Sequence, residues 1–147
     1  MAKAESAGFS EEEKAAMRDY AAERRERAKR KGTEGAALDA ADCLAAIAKL
    51  TPEDREVGER LHSLITKTAP ELAPKTWYGM PAYAIDGNVI CFFQTKLKFK
   101  TRYYVLGFTD KAALDDGDMW ATSFAIMELT LAVEKQIAAQ VTKAAGR

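Results

Sequence analysis

Pro74-Lys75-Thr76-Trp77-Tyr78-Gly79-Met80-Pro81-Ala82-Tyr83-Ala84-Ile85-Asp86-Gly87-Asn88-Val89-Ile90-Cys91-Phe92-Phe93-Gln94 is the stretch that decides the fold. Before it, apolar residues recur at helical spacing. From Lys75 onward the period falls to two and turn formers arrive at short intervals, the pattern of an antiparallel meander. Residues 75–78 and 82–85 read as short strands broken by Gly79-Met80-Pro81, and Asp86-Gly87 reads as a two-residue hairpin because both of its central positions need positive φ. Residues 89–94 form the next strand. After a lysine-rich connection, residues 98–108 read as a longer one, with Phe99, Thr101, Tyr103 and Val105 toward the core and Lys98, Lys100, Arg102 and Tyr104 on the opposite face. Trp120, Thr122, Phe124 and Ile126 alternate as a further strand.

Working outward toward the N-terminus, Val57, Leu61, Leu64, Ile65 and Thr68 make one helical face, started by Thr51-Pro52-Glu53-Asp54 and ended by Pro70 and Pro74. Asp39 is placed to cap an earlier helix whose inward residues are Cys43, Leu44, Ile47 and Leu50, with residues 32–35 as a linker before it. Ser10 and Glu13 form a capping box for a first helix that runs to about Lys31, with Glu23 to Arg27 and Glu26 to Arg30 as supporting pairs. That helix carries little apolar surface, so it is expected to rest lightly on the body or project from it, and a partner or a second copy could dock there. Toward the C-terminus, residues 110–118 read as a polar turn and loop, and Thr130 starts a closing helix with Val133, Ile137 and Val141 one turn apart. Helices, then strands, then a helix is the order of an α+β fold, an antiparallel sheet of about five strands packed against helices. The division expected is an N-terminal helical extension over residues 1–35 and one α+β domain over residues 36–147.

Composition narrows the class. At 147 residues one domain buries roughly 70% of its unfolded surface, and 48% hydrophobic with 30% charged residues is globular, neither disordered nor membrane-spanning. The N-terminal residues have no apolar core segment of a signal peptide, which gives the expectation of a cytoplasmic protein. In that compartment Cys43 and Cys91 read as buried free thiols. Net charge is zero, which argues against a protein built mainly to bind nucleic acid. The charge is uneven, however: residues 34–74 hold eight acids against four bases, and residues 75–109 five bases against one acid, so the sheet is basic and its flank acidic.

The Thr76-Trp77-Tyr78-Gly79-Met80-Pro81-Ala82-Tyr83 block, Asp86-Gly87, Cys91-Phe92-Phe93-Gln94, Lys98-Phe99-Lys100-Thr101-Arg102-Tyr103, Leu106-Gly107-Phe108 and Trp120 together resemble the YdhG-like family, a domain of unknown function. The resemblance covers about residues 40–145 and leaves the first helix outside. It implies an antiparallel sheet backed by helices, similar to frataxin, and a role for some members as iron chaperones that pass iron to an acceptor protein. The shared block is aromatic and turn-forming, so it positions backbone and supplies no metal ligands of its own.

Candidate chemistry is limited by ligand type. With one histidine, His62, and no Cys-x-x-Cys, a zinc finger, a two-histidine iron site and an iron–sulfur scaffold are excluded, and no cofactor is required. Carboxylates remain: Glu53, Asp54, Glu56 and Glu59 could form an acidic ridge that holds iron weakly, with Asp115, Asp116 and Asp118 as a second candidate. Helix-start capping and a plain solvated loop are the bland readings of the two sets. The alternative site is a ligand or partner surface made by Trp77, Tyr78, Met80 and Tyr83 with Lys98, Lys100, Arg102 and Tyr104, an apolar groove beside bases that suits a small anion or a partner protein. There, Trp77 and Tyr78 alternate, so one belongs to the core and the other to the groove. A search for Gly-x-Ser-x-Gly, a Walker loop and Gly-x-Gly-x-x-Gly finds none, and a Cys-His system would need Cys91 to approach His62.

Overall fold

Glu11–Arg27 forms the first helix, α1, because its N-terminus is closed from both sides: Ser10 Oγ accepts from the Glu13 N–H while the Glu13 carboxylate accepts from the Ser10 N–H. The structure, a computed structural model, describes residues 8–146. None of the residues of α1 is buried, as its thin apolar content leads one to expect. What fixes it is specific. The Tyr20 ring stacks on Tyr78 at 4.1 Å, and the Glu23 carboxylate accepts from the Tyr78 and Gly79 N–H groups at 2.9 Å each. The expected Glu23–Arg27 and Glu26–Arg30 pairs do not form, because Glu23 is taken by the turn and Arg30 bridges Asp39 and Asp42 at 2.7 Å each.

The second helix, α2, is Gly32–Ala48. Residues 32–35 are therefore helical and not a linker, and Asp39 lies inside the helix and does not cap it. The change of direction is made earlier, by tight backbone bonds from Lys29 to Glu26 and from Arg30 to Arg27. Gly35 serves contact and not flexibility: a Cβ there would stand 3.1 Å from Arg30 Cβ. Pro52–Thr68 is α3, with Pro52 in its first turn, and it buries Leu61 and Ile65. From α2, Cys43 and Ile47 reach the core, while Leu44, expected inward, is half exposed.

Five antiparallel strands follow in simple sequential order: β1 Ala73–Trp77, β2 Met80–Ile85, β3 Asn88–Gln94, β4 Tyr104–Phe108 and β5 Ser123–Ile126. Asp86 at φ 51° and Gly87 at φ 81° make the hairpin that the sequence announces. One expected strand fails. Residues 96–99 are instead a short helix, α4 (Lys96–Phe99), and Lys100 at φ 55° ends it in the left-handed region. The cause is Asp54, fully buried, whose carboxylate accepts from the Leu97 and Lys98 N–H groups and so holds the start of a helical turn where a strand would need pairing. The interruption also inverts the facing of β4. Leu106 pairs with Phe93 and Phe108 with Cys91, so Tyr104, Leu106 and Phe108 point inward, opposite to the expected set.

Leu131–Ala144 is α5, capped by Thr130 Oγ1, which accepts from the Val133 N–H. The core joins Leu61 and Ile65 of α3, Ile137 and Val141 of α5, and Tyr83, Phe93 and Leu106 of the sheet. Each such side chain contributes about 1.5–3 kcal/mol by leaving water. The α+β class, the five-stranded antiparallel sheet and the additional N-terminal helix are as the sequence reads.

Candidate ligand cleft beside the aromatic turn

The β1–β2 connection turns on Tyr78 and Gly79, both at positive φ (54° and 77°). A non-glycine residue in that region is strained, and the strain is held by the two N–H bonds to Glu23 and by the Tyr20 stack. On the far side of the turn, Lys98 Nζ donates to the Gly79 carbonyl at 2.9 Å. Three elements thus meet at one turn: α1 supplies Glu23, the sheet supplies Gly79, and α4, held by Asp54 of α3, supplies Lys98.

Between them lies a cleft of about 610 Å³, walled by Asp19, by the C-terminal part of α2 with Asp42 and Lys49, by Thr51 and Asp54 at the start of α3, and by Leu97 and Lys98. Its electrostatics follow from which charges are already engaged. Asp42 is paired with Arg30, and both oxygens of Asp54 face backbone N–H groups of α4. Crowding by protein lowers the Lys98 pKa, and Lys49 lowers it further, against Asp19 and Glu23, which raise it. Thr51, the N-cap of α3, makes no side-chain capping bond, so the positive end of a 17-residue helix opens at the same rim. The Lys49–Lys98 side of the cleft thus presents two cations and a helix start, while the Asp19 carboxylate shares its wall.

The expected aromatic and basic surface is dispersed. Met80, Tyr83 and Tyr104 are buried in the body. Trp77 and Tyr78 are both half-buried, Trp77 packing edge-on against Phe92 and Tyr78 on Tyr20, so neither of the two assignments to core and groove applies. Lys100 pairs with Glu12 at 3.0 Å, and Arg102 lies over the Tyr103 ring. Of the eight residues, Lys98 alone lines the cleft.

The acidic ridge is also reduced. Asp54 is turned inward as a cap, and Glu53 pairs with Lys96 at 2.9 Å, leaving Glu56 and Glu59 exposed beside it on α3. Asp115, Asp116 and Asp118 lie exposed in their loop. Among the described residues no three His, Cys, Asp or Glu side chains converge where a metal ion would fit. His62 takes another role: its Nδ1 is hydrogen-bonded to the Tyr83 hydroxyl at 2.9 Å and lies 3.9 Å from Cys43 Sγ. It is Cys43, not Cys91, that approaches the imidazole. Burial lowers the pKa of His62 and pushes the Cys43 thiol up to about 11, so this trio is uncharged near neutral pH. Burial alone raises Cys91 to about 12.

Sequence reasoning missed Asp19, Glu23 and Lys49. Glu23 reads from the sequence as a helix-pairing partner of Arg27, and its actual target 55 residues away is a matter of tertiary structure. No helix among the described residues is long and apolar enough to cross a membrane. Comparison with protein-family models, with curated proteins and with solved structures finds no match to the chain.

Proposed function

We propose that this chain is a YdhG-like binding domain, and that its cleft beside the aromatic turn takes up a small anionic molecule. The observation that carries the reading is the cleft itself: two lysines and an uncapped helix start face about 610 Å³ of space in which Asp42 and Asp54 are already engaged and Asp19 is the remaining carboxylate. A binding and not a catalytic role is supported by the thiols, both held protonated by burial, and by the His62 Nδ1 being occupied by Tyr83. The family reading is supported by the motif around Trp77-Tyr78-Gly79-Met80-Pro81 and by the helix-backed meander in which it sits.

A thermal-shift screen against phosphate- and carboxylate-bearing metabolites tests this. A ligand at a hundred times its Kd stabilises the native state by about 2.7 kcal/mol. At this chain length that is a rise in Tm of roughly 5–10 °C. The rise is expected to vanish in Lys49→Ala, whose side chain is exposed and carries no structural bond in the cleft. A flat screen, or a shift that Lys49→Ala and Lys98→Met both leave intact, sinks the reading.

The resemblance supports a second reading, weak Fe²⁺ handling and delivery to an iron-accepting protein. Its favouring observation is that Glu56 and Glu59 stand exposed one turn apart on α3, with Glu53 nearby. Anaerobic Fe²⁺ titration of the wild type and of Glu53→Ala/Glu56→Ala/Glu59→Ala separates the two: saturable binding lost in the triple variant supports it, and none in the wild type ends it.

A further inference from the structure

A second cavity, of about 580 Å³, lies on the other side of α2, where the end of α1, the start of α2, β1 and the β2–β3 hairpin meet. Four bases line it, Arg27, Arg30, Lys31 and Lys75, against two carboxylates, Asp39 and Asp86. Arg30 and Asp39 neutralise each other at 2.7 Å. That leaves three cations facing one carboxylate, and Asp86 is exposed in its hairpin.

Lys75 is the unusual member. It is only 6% exposed, and its ammonium makes no hydrogen bond or ion pair with any described residue. Asp39 and Glu23 act on it only at a distance. The residue is buried while its ammonium is not sealed from solvent, so Lys75 presents an unpaired cation at the end of a held stem. Lys75 lines this cavity and also a smaller one, where Glu23, Glu26, Asp39 and Asp42 stand with Arg27 and Arg30. The same rim carries the start of α2, a 17-residue helix whose N-cap, Lys31, supplies no capping side chain. Gly32 lines it with open space where a side chain would stand, whereas Gly35 packs against Arg30 and donates its N–H to the Lys31 carbonyl. Helix-start N–H groups, an arginine from α1 and an ammonium from the strand approach from different directions, which suits a tetrahedral oxyanion better than a planar one.

We propose that this cavity binds a phosphate group, free or carried by a small molecule, with Lys75 at its floor, Arg27 and Lys31 at its rim, and the first-turn N–H groups of α2 completing the donor set. The site is separate from the cleft beside the aromatic turn and does not rest on that reading.

Isothermal titration of the full chain with inorganic phosphate tests it, with phosphate esters as a second arm to tell a free from a carried group. The expected result is saturable binding of one phosphate per chain, weakened at least tenfold in Lys75→Met, which keeps the apolar stem and removes the charge. Lys135→Ala, which removes an exposed charge outside both cavities, should bind phosphate as the wild type does. Should Lys75→Met fail to fold, Arg27→Ala/Lys31→Ala replaces it, with the same tenfold loss expected. Absence of saturable binding of either probe, an unchanged Kd in Lys75→Met or in the double variant, or acetate binding as tightly as phosphate would overturn the proposal.

Discussion

Asp54→Ala is the perturbation that separates the structural from the metal-binding reading of α3. Asp54 is fully buried and accepts from Leu97 N–H at 3.1 Å and from Lys98 N–H at 3.0 Å. Each bond to a charged acceptor contributes about 1.5–3 kcal/mol. The two N–H groups sit beside an open cleft, so water replaces part of what is lost and the net cost works out at roughly 2–4 kcal/mol. For a chain of this length that is a fall in Tm of about 6–12 °C. Asp54→Asn keeps the shape and one acceptor oxygen and is expected to cost about half as much. Urea denaturation followed by circular dichroism measures both, and the Lys98 N–H should exchange with solvent faster in either variant. If both variants stay within about 0.5 kcal/mol of the wild type, Asp54 does not cap α4. If they also lose Fe²⁺ affinity, the ligand role read from the sequence is the correct one.

Further outcomes follow from single groups. The Tyr104 hydroxyl is buried and makes no hydrogen bond with any described residue, and burial, with Asp54 and Glu53 nearby, raises its pKa to about 12; Tyr104→Phe should be neutral or stabilising by up to about 1 kcal/mol in the same urea assay. Burial holds His62 below its ordinary value of 6.5, so the unfolded chain takes up a proton near that pH that the native chain refuses. Stability should therefore be full above about pH 6.5 and decline as the pH falls through that value, and His62→Gln should flatten the decline in Tm measured across that window. Gly79→Ala combines a left-handed φ with a Cβ that would press on Asp19 Oδ2; a loss of about 1–3 kcal/mol is expected, with Tyr20 and Tyr78 losing their stacking as read by near-ultraviolet circular dichroism.

The fold class was legible because its signals are local. The capping box at Ser10, Pro52 at the start of α3, and Asp86-Gly87 each specify their backbone within a few residues, and the structure carries all three. What sequence reasoning misplaced depends on partners far along the chain. Residues 98–103 have a strand-like alternation, and only a carboxylate 43 residues earlier turns their beginning into a helix. That one substitution of helix for strand moved Tyr104 from the solvent face to the core and scattered the basic row expected with it. The site suffered for the same reason. Lys98 was singled out with the right charge and the wrong neighbours, whereas Lys75, read as an ordinary strand residue, is distinguished only by burial that no periodicity records.

Amide chemical-shift mapping with the best anion from the screen tests the central claim most directly. Binding in the cleft predicts that the N–H signals of Gly79, Leu97, Lys98, Lys49 and Asp54, which surround it, shift together and saturate with one affinity, and that they stay still in Lys49→Ala. Saturable shifts confined to residues outside the cleft, or no saturable shift at these five positions, would contradict it.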